Sequence, residues 1–293
     1  MPHAHHAAFE SYWVSVALIF AALIYVRGWV RIRRRGLEAI EGWRASSFLL
    51  GLFLIWVAIA SPLAALDHVL LTAHMVQHLL LMTIAAPLIW LGAPVKPLFQ
   101  GLPHFMQVLA IALQWRPIQT MGSAIADPTF AWFAAAGTLI GWHIPSVFAL
   151  GLQSQMWHRI EQASFLIAGL LFWLPVIQTR QARANSSEWS IILYLFLATL
   201  PCDILSGFLV FCDRVVYPVY FSSPHFFGVS ALEDQQCAGA LMWTCVTVIY
   251  LIAGTVVATR LLSPGMRDEH RIGQSTLRRN AAPNIVRQSM EAL

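Results

Sequence analysis

Only 11% of the 293 residues carry a charge, where a soluble domain carries about 25%. So little charge excludes a water-facing surface over most of the chain. A hydrophobic share of 58% and a mean hydropathy of +0.65 place the chain in lipid instead. Cysteine is scarce as well: four residues without a C-x-x-C pair exclude a disulfide scaffold. A single bridge between Cys212 and Cys237, which flank the last outer loop, stays open in an oxidising compartment. The chain lacks a Walker loop, a G-x-G-x-x-G opening a helix and a nucleophile elbow, which argues against a hydrolytic enzyme. It also lacks internal repeats and long low-complexity tracts. The first apolar stretch is followed, not preceded, by its basic cluster, the pattern of an N-out anchor rather than of a cleavable leader.

Seven apolar stretches are long enough to cross about 30 Å of hydrocarbon at roughly 20 residues each. They are Ser11–Val30, Phe48–Ala65, Leu70–Leu91, Thr129–Leu150, His158–Ile177, Trp189–Phe211 and Cys237–Leu262. An eighth, Leu102–Trp115, is shorter, is flanked by Pro103 and Arg116, and reads as an interfacial or re-entrant helix.

The cationic residues sort by side. Arg27, Arg31, Arg33, Arg34, Arg35 and Arg44 mark the first connection, Lys96 and Arg116 the third, and Arg180 and Arg183 the fifth. Arg260, Arg267, Arg271, Arg278, Arg279 and Arg287 lie at the end of the chain. Sixteen of the eighteen thus share one side, and only Arg159 and Arg214 fall on the other. The positive-inside bias then puts the N-terminus outside and the C-terminus inside. An eighth span would move the six tail arginines outside.

The expected fold is therefore an all-α integral membrane protein, a seven-transmembrane helix bundle of a bacterial cytoplasmic membrane. Residues 1–10 form a short His-containing outer segment, 11–262 the membrane domain and 263–293 a basic cytoplasmic tail. The net charge of +4 and the pI near 9.1 report orientation and contact with anionic lipid heads, not nucleic-acid binding.

Ionisable groups inside hydrocarbon are costly, so each one within a span is a candidate functional group. At about 1.5 Å per residue, His74 lies about 6 Å and His78 about 12 Å below the outer face. His143 and Asp203 each fall roughly 9 Å below it on outward-running spans. His158 opens the fifth stretch, and Asp234 stands in a polar run, Glu233 to Gln236, at the head of the seventh. One shallow layer thus collects His74, His78, His143, His158, Asp203 and Asp234.

His74 and His78 are spaced i, i+4 on one helix face, where two imidazoles can share an ion. Imidazole suits zinc, copper, iron and nickel, and thioethers favour Cu(I). Met82 continues the face four residues on, while Met75 points elsewhere. Met156, Cys202 and Cys237 add soft groups near the same level. Two histidines with sulfur nearby point to copper. The same polar groups also serve as hydrogen-bonding glue between membrane helices, and that reading stays open for His143 and Asp203. His3, His5 and His6 form an outer tract able to hold a metal loosely; His104, His225 and His270 receive no assignment.

Several motifs together resemble the CtaG-type, caa-oxidase-associated family of polytopic cytochrome c oxidase assembly factors. They begin with Ser61-Pro62, His74-Met75-Val76-Gln77-His78, Ala86-Pro87-Leu88 and Gly92-Ala93-Pro94. Trp142-His143-Ile144-Pro145 is similar to the family's W-H-x-P, and Trp157-His158 with Phe165 and Leu171–Pro175 to its fifth span. Asp234-Gln235-Gln236 with Gly239 and Met242-Trp243 resembles the head of its last span. The likeness runs from about Ser61 to Trp243. It departs at Gln162, where relatives carry a second histidine four residues after the one matched by His158. Glutamine is a poor copper ligand, which weakens His158 as one.

The resemblance implies a non-enzymatic accessory protein that helps to build a haem-copper oxidase. Its implied partners are an oxidase subunit and a periplasmic copper donor. The outer histidine layer makes copper insertion the expected step. Two other uses of such a layer stay open: a membrane electron carrier with haem bracketed by His78 and His143, and a metal or proton transporter.

Overall fold

The computed structural model describes residues 2–36, 40–103, 127–177, 188–222 and 228–262, and these are helical apart from short connections. The order is α1 (Pro2–Arg34), α2 (Gly42–Ala60), a 3-10 turn (Pro62–Leu66) and α3 (Leu71–Leu79). A π segment (Leu80–Ala85) joins α3 to α4 (Ala86–Leu91), and α5 (Val95–Gly101) follows. Then come α6 (Pro128–His143), α7 (Pro145–Gln153), α8 (Gln155–Ile177) and α9 (Glu188–Phe211). A second 3-10 turn (Pro218–Ser222) leads into α10 (Ala231–Leu262).

Six helices among the described residues are long and apolar enough to cross a membrane: Ser11–Arg34, Gly42–Leu66, Leu71–Leu91, Gln155–Ile177, Trp189–Phe211 and Ala231–Thr259. The pair α6–α7 passes the same test only when taken together, as a broken span or a re-entrant loop, so the described helices offer six spans, or seven if the pair is one. The expected all-helical membrane architecture is present, with one correction: the fourth stretch, Thr129–Leu150, is not a straight rod. The chain turns by 78° between α6 and α7. Pro145 has no N–H to continue the ladder, and it drives Ile144 to an extended conformation with ψ 124°. His143 therefore ends α6. Of the interfacial stretch Leu102–Trp115, only its first two residues are described; the rest, like the basic tail, lies outside the described residues.

The π segment has a local cause. Pro87 cannot donate to the carbonyl four residues back, and its ring crowds that turn, so the helix widens just before it. The backbone groups this loosens are taken up by α8. The Trp173 indole donates to the Met82 carbonyl at 3.1 Å, and the Trp90 indole donates back to the Leu170 carbonyl at 2.8 Å. Such satisfaction is required in hydrocarbon.

Gly169 makes the approach possible. A Cβ there would lie 2.6 Å from the Met82 carbonyl oxygen and 2.7 Å from its Cα. These are backbone atoms that cannot swing away. We expect Gly169→Ala to destabilise the bundle by about 1–3 kcal/mol, the usual cost of overpacking, read as an earlier thermal unfolding midpoint in detergent. A midpoint equal to wild type would show that the contact is looser than drawn. A similar small-residue crossing holds α5 against α1, where a Cβ on Gly28 would fall 1.8 Å from the Pro97 carbonyl oxygen.

Candidate metal centre

Three segments build the site. Ser61 caps the first 3-10 turn by accepting from the Leu63 amide, and Asp67 closes that turn. The nine-residue α3 carries His74, Gln77 and His78, and the start of α8 carries His158, Glu161 and Gln162. The first turn of α3 has orphan amides, and α10 caps them. The Asp234 carboxylate accepts from the Leu71 amide at 2.6 Å, the Thr72 amide at 3.1 Å and the Thr72 hydroxyl at 2.6 Å. A carboxylate at a helix N-terminus also meets its positive dipole end. Asp234 thus positions α3 and does not face its histidines.

His74 Nε2 and His78 Nε2 lie 2.8 Å apart, and Glu161 Oε1 lies 3.2 Å from each. All three residues are buried. Phe165 stacks on the His78 ring with centroids 4.0 Å apart, and Phe148 meets His74 edge-on at 4.9 Å. These apolar walls lock the rings and exclude water. The Nδ1 atoms of both histidines are buried without a hydrogen-bond partner among the described residues. Two ring nitrogens and a carboxylate oxygen cannot face one another at these distances with lone pairs alone. A proton or a metal cation belongs between them.

His158 has a different office. Its Nε2 lies 2.9 Å from Asp67 Oδ2 and its Nδ1 3.3 Å from Glu161 Oε2. The ring thus lies between two acids, and Asp67, His74 and His158 present a second group of donor atoms beside that of His74, His78 and Glu161. Gln162, 2.9 Å from His158 Nε2, also donates to Gln77 at 3.4 Å, and Gln77 donates to Asp67 Oδ2 at 3.2 Å. Burial pushes the Asp67 carboxyl up, but the hydrogen bond and charge of His158, with help from His68 and His74, hold it below its ordinary range. Tyr220 donates to the Asp67 carbonyl at 2.8 Å, and burial raises its phenol well above the usual range.

The remaining sequence candidates are placed apart. His143 is buried at the end of α6 with Nε2 3.3 Å from Met75 Sδ. Among the described residues, Asp203, half-buried on α9, joins neither donor group, and its Oδ1 is buried without a hydrogen-bond partner. Met156 is exposed on the bundle surface. All four cysteines are free, so Cys212 and Cys237 are not bridged.

Sequence reasoning missed Glu161, Asp67 and the neighbouring His68. Glu161 carried a readable signal, a carboxylate in an apolar span three residues after a histidine. Asp67 and His68 lie in a connection that hydropathy alone marks as a loop.

With this geometry in hand, comparison with known families is informative. The chain matches the family described as cytochrome c oxidase caa3 assembly factor (Caa3_CtaG) over residues 23–263. It belongs to that family. No curated protein and no solved structure matches the chain. Membership makes it a caa3 oxidase assembly factor of the membrane, with an oxidase subunit as the implied partner.

Proposed function

We propose that this assembly factor carries Cu(I) to the oxidase, holding the ion between His74 Nε2, His78 Nε2 and Glu161 Oε1. The observation that carries the reading is the convergence of three buried electron-pair donors within 3.2 Å of one another. A metal about 2.0–2.1 Å from each donor would sit about 1 Å off their plane and keep a fourth position free. An open position suits a site that must release its ion. Charge agrees with the choice of metal. Asp67, Glu161 and an imidazolium at His158 sum to one negative charge, which a monovalent cation neutralises in a low-dielectric interior.

His74 stands about 25 Å from Leu91, the far end of the run formed by α3, the π segment and α4. Beyond that other end lie the basic residues of α1 and α5, where Arg31 donates to the Gln100 carbonyl at 2.9 Å. The positive-inside bias puts that basic end in the cytoplasm of a bacterium and the site on the periplasmic side, where a copper donor would dock. A haem between His78 and His143 is disfavoured, because His78 Nε2 turns to Glu161 and His143 Nε2 to Met75.

The test is anaerobic Cu(I) loading of the detergent-purified protein beside the His74→Ala/His78→Ala variant, with copper content of the oxidase measured in the same strains. We expect the variant to reach the membrane, to lose the bound ion, and to leave the oxidase copper-deficient. An oxidase with its full copper complement in that strain would sink the proposal.

A further inference from the structure

We infer that His143 Nε2 and Met75 Sδ form a second, softer Cu(I) site beside the first, at about the same depth in the bundle. This sulfur station rests on the reading that Cu(I) is the cargo. His143 is only 6% exposed, and its Nδ1 lies 2.7 Å from the Leu139 carbonyl. A carbonyl at that distance requires an N–H, so Nδ1 holds the proton of the neutral ring and Nε2 presents a lone pair. The ring has little freedom to turn away, because the Tyr217 hydroxyl donates to the His143 carbonyl at 3.0 Å and anchors the helix end.

The lone pair faces Met75 Sδ at 3.3 Å, and Met75 is 1% exposed. A thioether also offers only lone pairs. Two electron-pair donors therefore meet between buried side chains with no hydrogen between them. Protonating the ring a second time would bury a cation against a weak acceptor, which is costly. A soft monovalent metal is the partner that both atoms accept, since thioether and imidazole together favour Cu(I) over harder ions.

The surroundings extend the argument. His143 and Met75 line a cavity of about 50 Å³ together with His78, Met82, Cys202 and Met242. That is room for an ion and a water or two, at about 10–15 Å³ each. His78 belongs to both places: its Nε2 completes the triangle with His74 and Glu161, while its ring forms part of the cavity wall. One side chain, His78, thus joins the nitrogen and oxygen donors to the sulfur-lined cavity.

X-ray absorption on the full-length, Cu(I)-loaded protein in detergent tests this directly. We expect wild type to show a copper–sulfur shell beside the nitrogen and oxygen one. Met75→Leu, a nearly volume-conserving change, should lose the sulfur shell and keep copper on nitrogen and oxygen. His74→Ala should lower the copper content and keep the sulfur shell with the His143 nitrogen. Copper bound by nitrogen and oxygen alone in wild type would overturn the sulfur station, as would a sulfur shell that survives Met75→Leu, and neither result needs a mutant to misfold. A sulfur shell with undiminished copper in His74→Ala would overturn the His74–His78–Glu161 site and leave the sulfur station standing. Failure of wild type to retain any copper would overturn both.

Discussion

Glu161→Gln will weaken Cu(I) binding at the His74–His78 pair by about 10–100-fold, the range found when a charged partner of a metal site is neutralised. The reasoning is electrostatic. Glu161 Oε1 lies 3.2 Å from both ring nitrogens, and Oε2 lies 3.3 Å from His158 Nδ1. The amide keeps the shape and one acceptor oxygen, so the helices stay apposed, but the negative charge that balances a bound cation is gone. Glu161→Ala removes the charge and the packing together. It also leaves His158 with one acid instead of two, and breaking a buried pair in this way costs about 3–5 kcal/mol. The two variants therefore separate: both lose copper affinity, and only alanine loses substantial stability. Competition titration with a chromogenic Cu(I) chelator and thermal unfolding in detergent read the two quantities. Wild-type affinity in Glu161→Gln would remove the carboxylate from the site.

Asp234→Ala will destabilise the bundle by about 2–4 kcal/mol, since hydrogen bonds to a charged group are each worth about 1.5–3 kcal/mol and a lost N-cap about 0.5–2 kcal/mol. Its carboxylate holds the Leu71 amide and both the amide and hydroxyl of Thr72, joining α10 to the first turn of α3. His74 lies two residues beyond Thr72, so loss of this cap frees the helix start that aims the first ring. Copper binding should fall along with stability. Asp234→Asn separates a cap from a ligand, because asparagine caps helices well and ligates copper poorly. Copper retained in Asp234→Asn at near wild-type stability is the expected result. Copper lost at unchanged stability would make Asp234 a ligand after all.

The site shows where reading by depth succeeds and where it stops. A rise per residue converts position into height, which is enough to bring His74, His78, His143 and His158 to one level. Height alone does not say which way a side chain points. His143 shares the level and yet faces Met75, not Glu161. Asp234 shares it and spends its oxygens on backbone amides. Pro145 was visible as a break, but the 78° turn it produces depends on where α7 finds its contacts.

By itself the sequence determined the class of the molecule and its likeness to a family. Scarce charge and seven apolar stretches leave helices as the form that satisfies every backbone group in lipid. The i, i+4 spacing of His74 and His78 puts both rings on one face of any helix. Only the tertiary structure decided which acids meet those rings. Glu161 reaches them because Gly169 and the widened turn at Met82 let α8 approach α3 closely, and Asp67 reaches His158 through a turn of the connecting chain. Rotation about each helix axis is set by packing against neighbours, a property of pairs of segments that no single segment encodes.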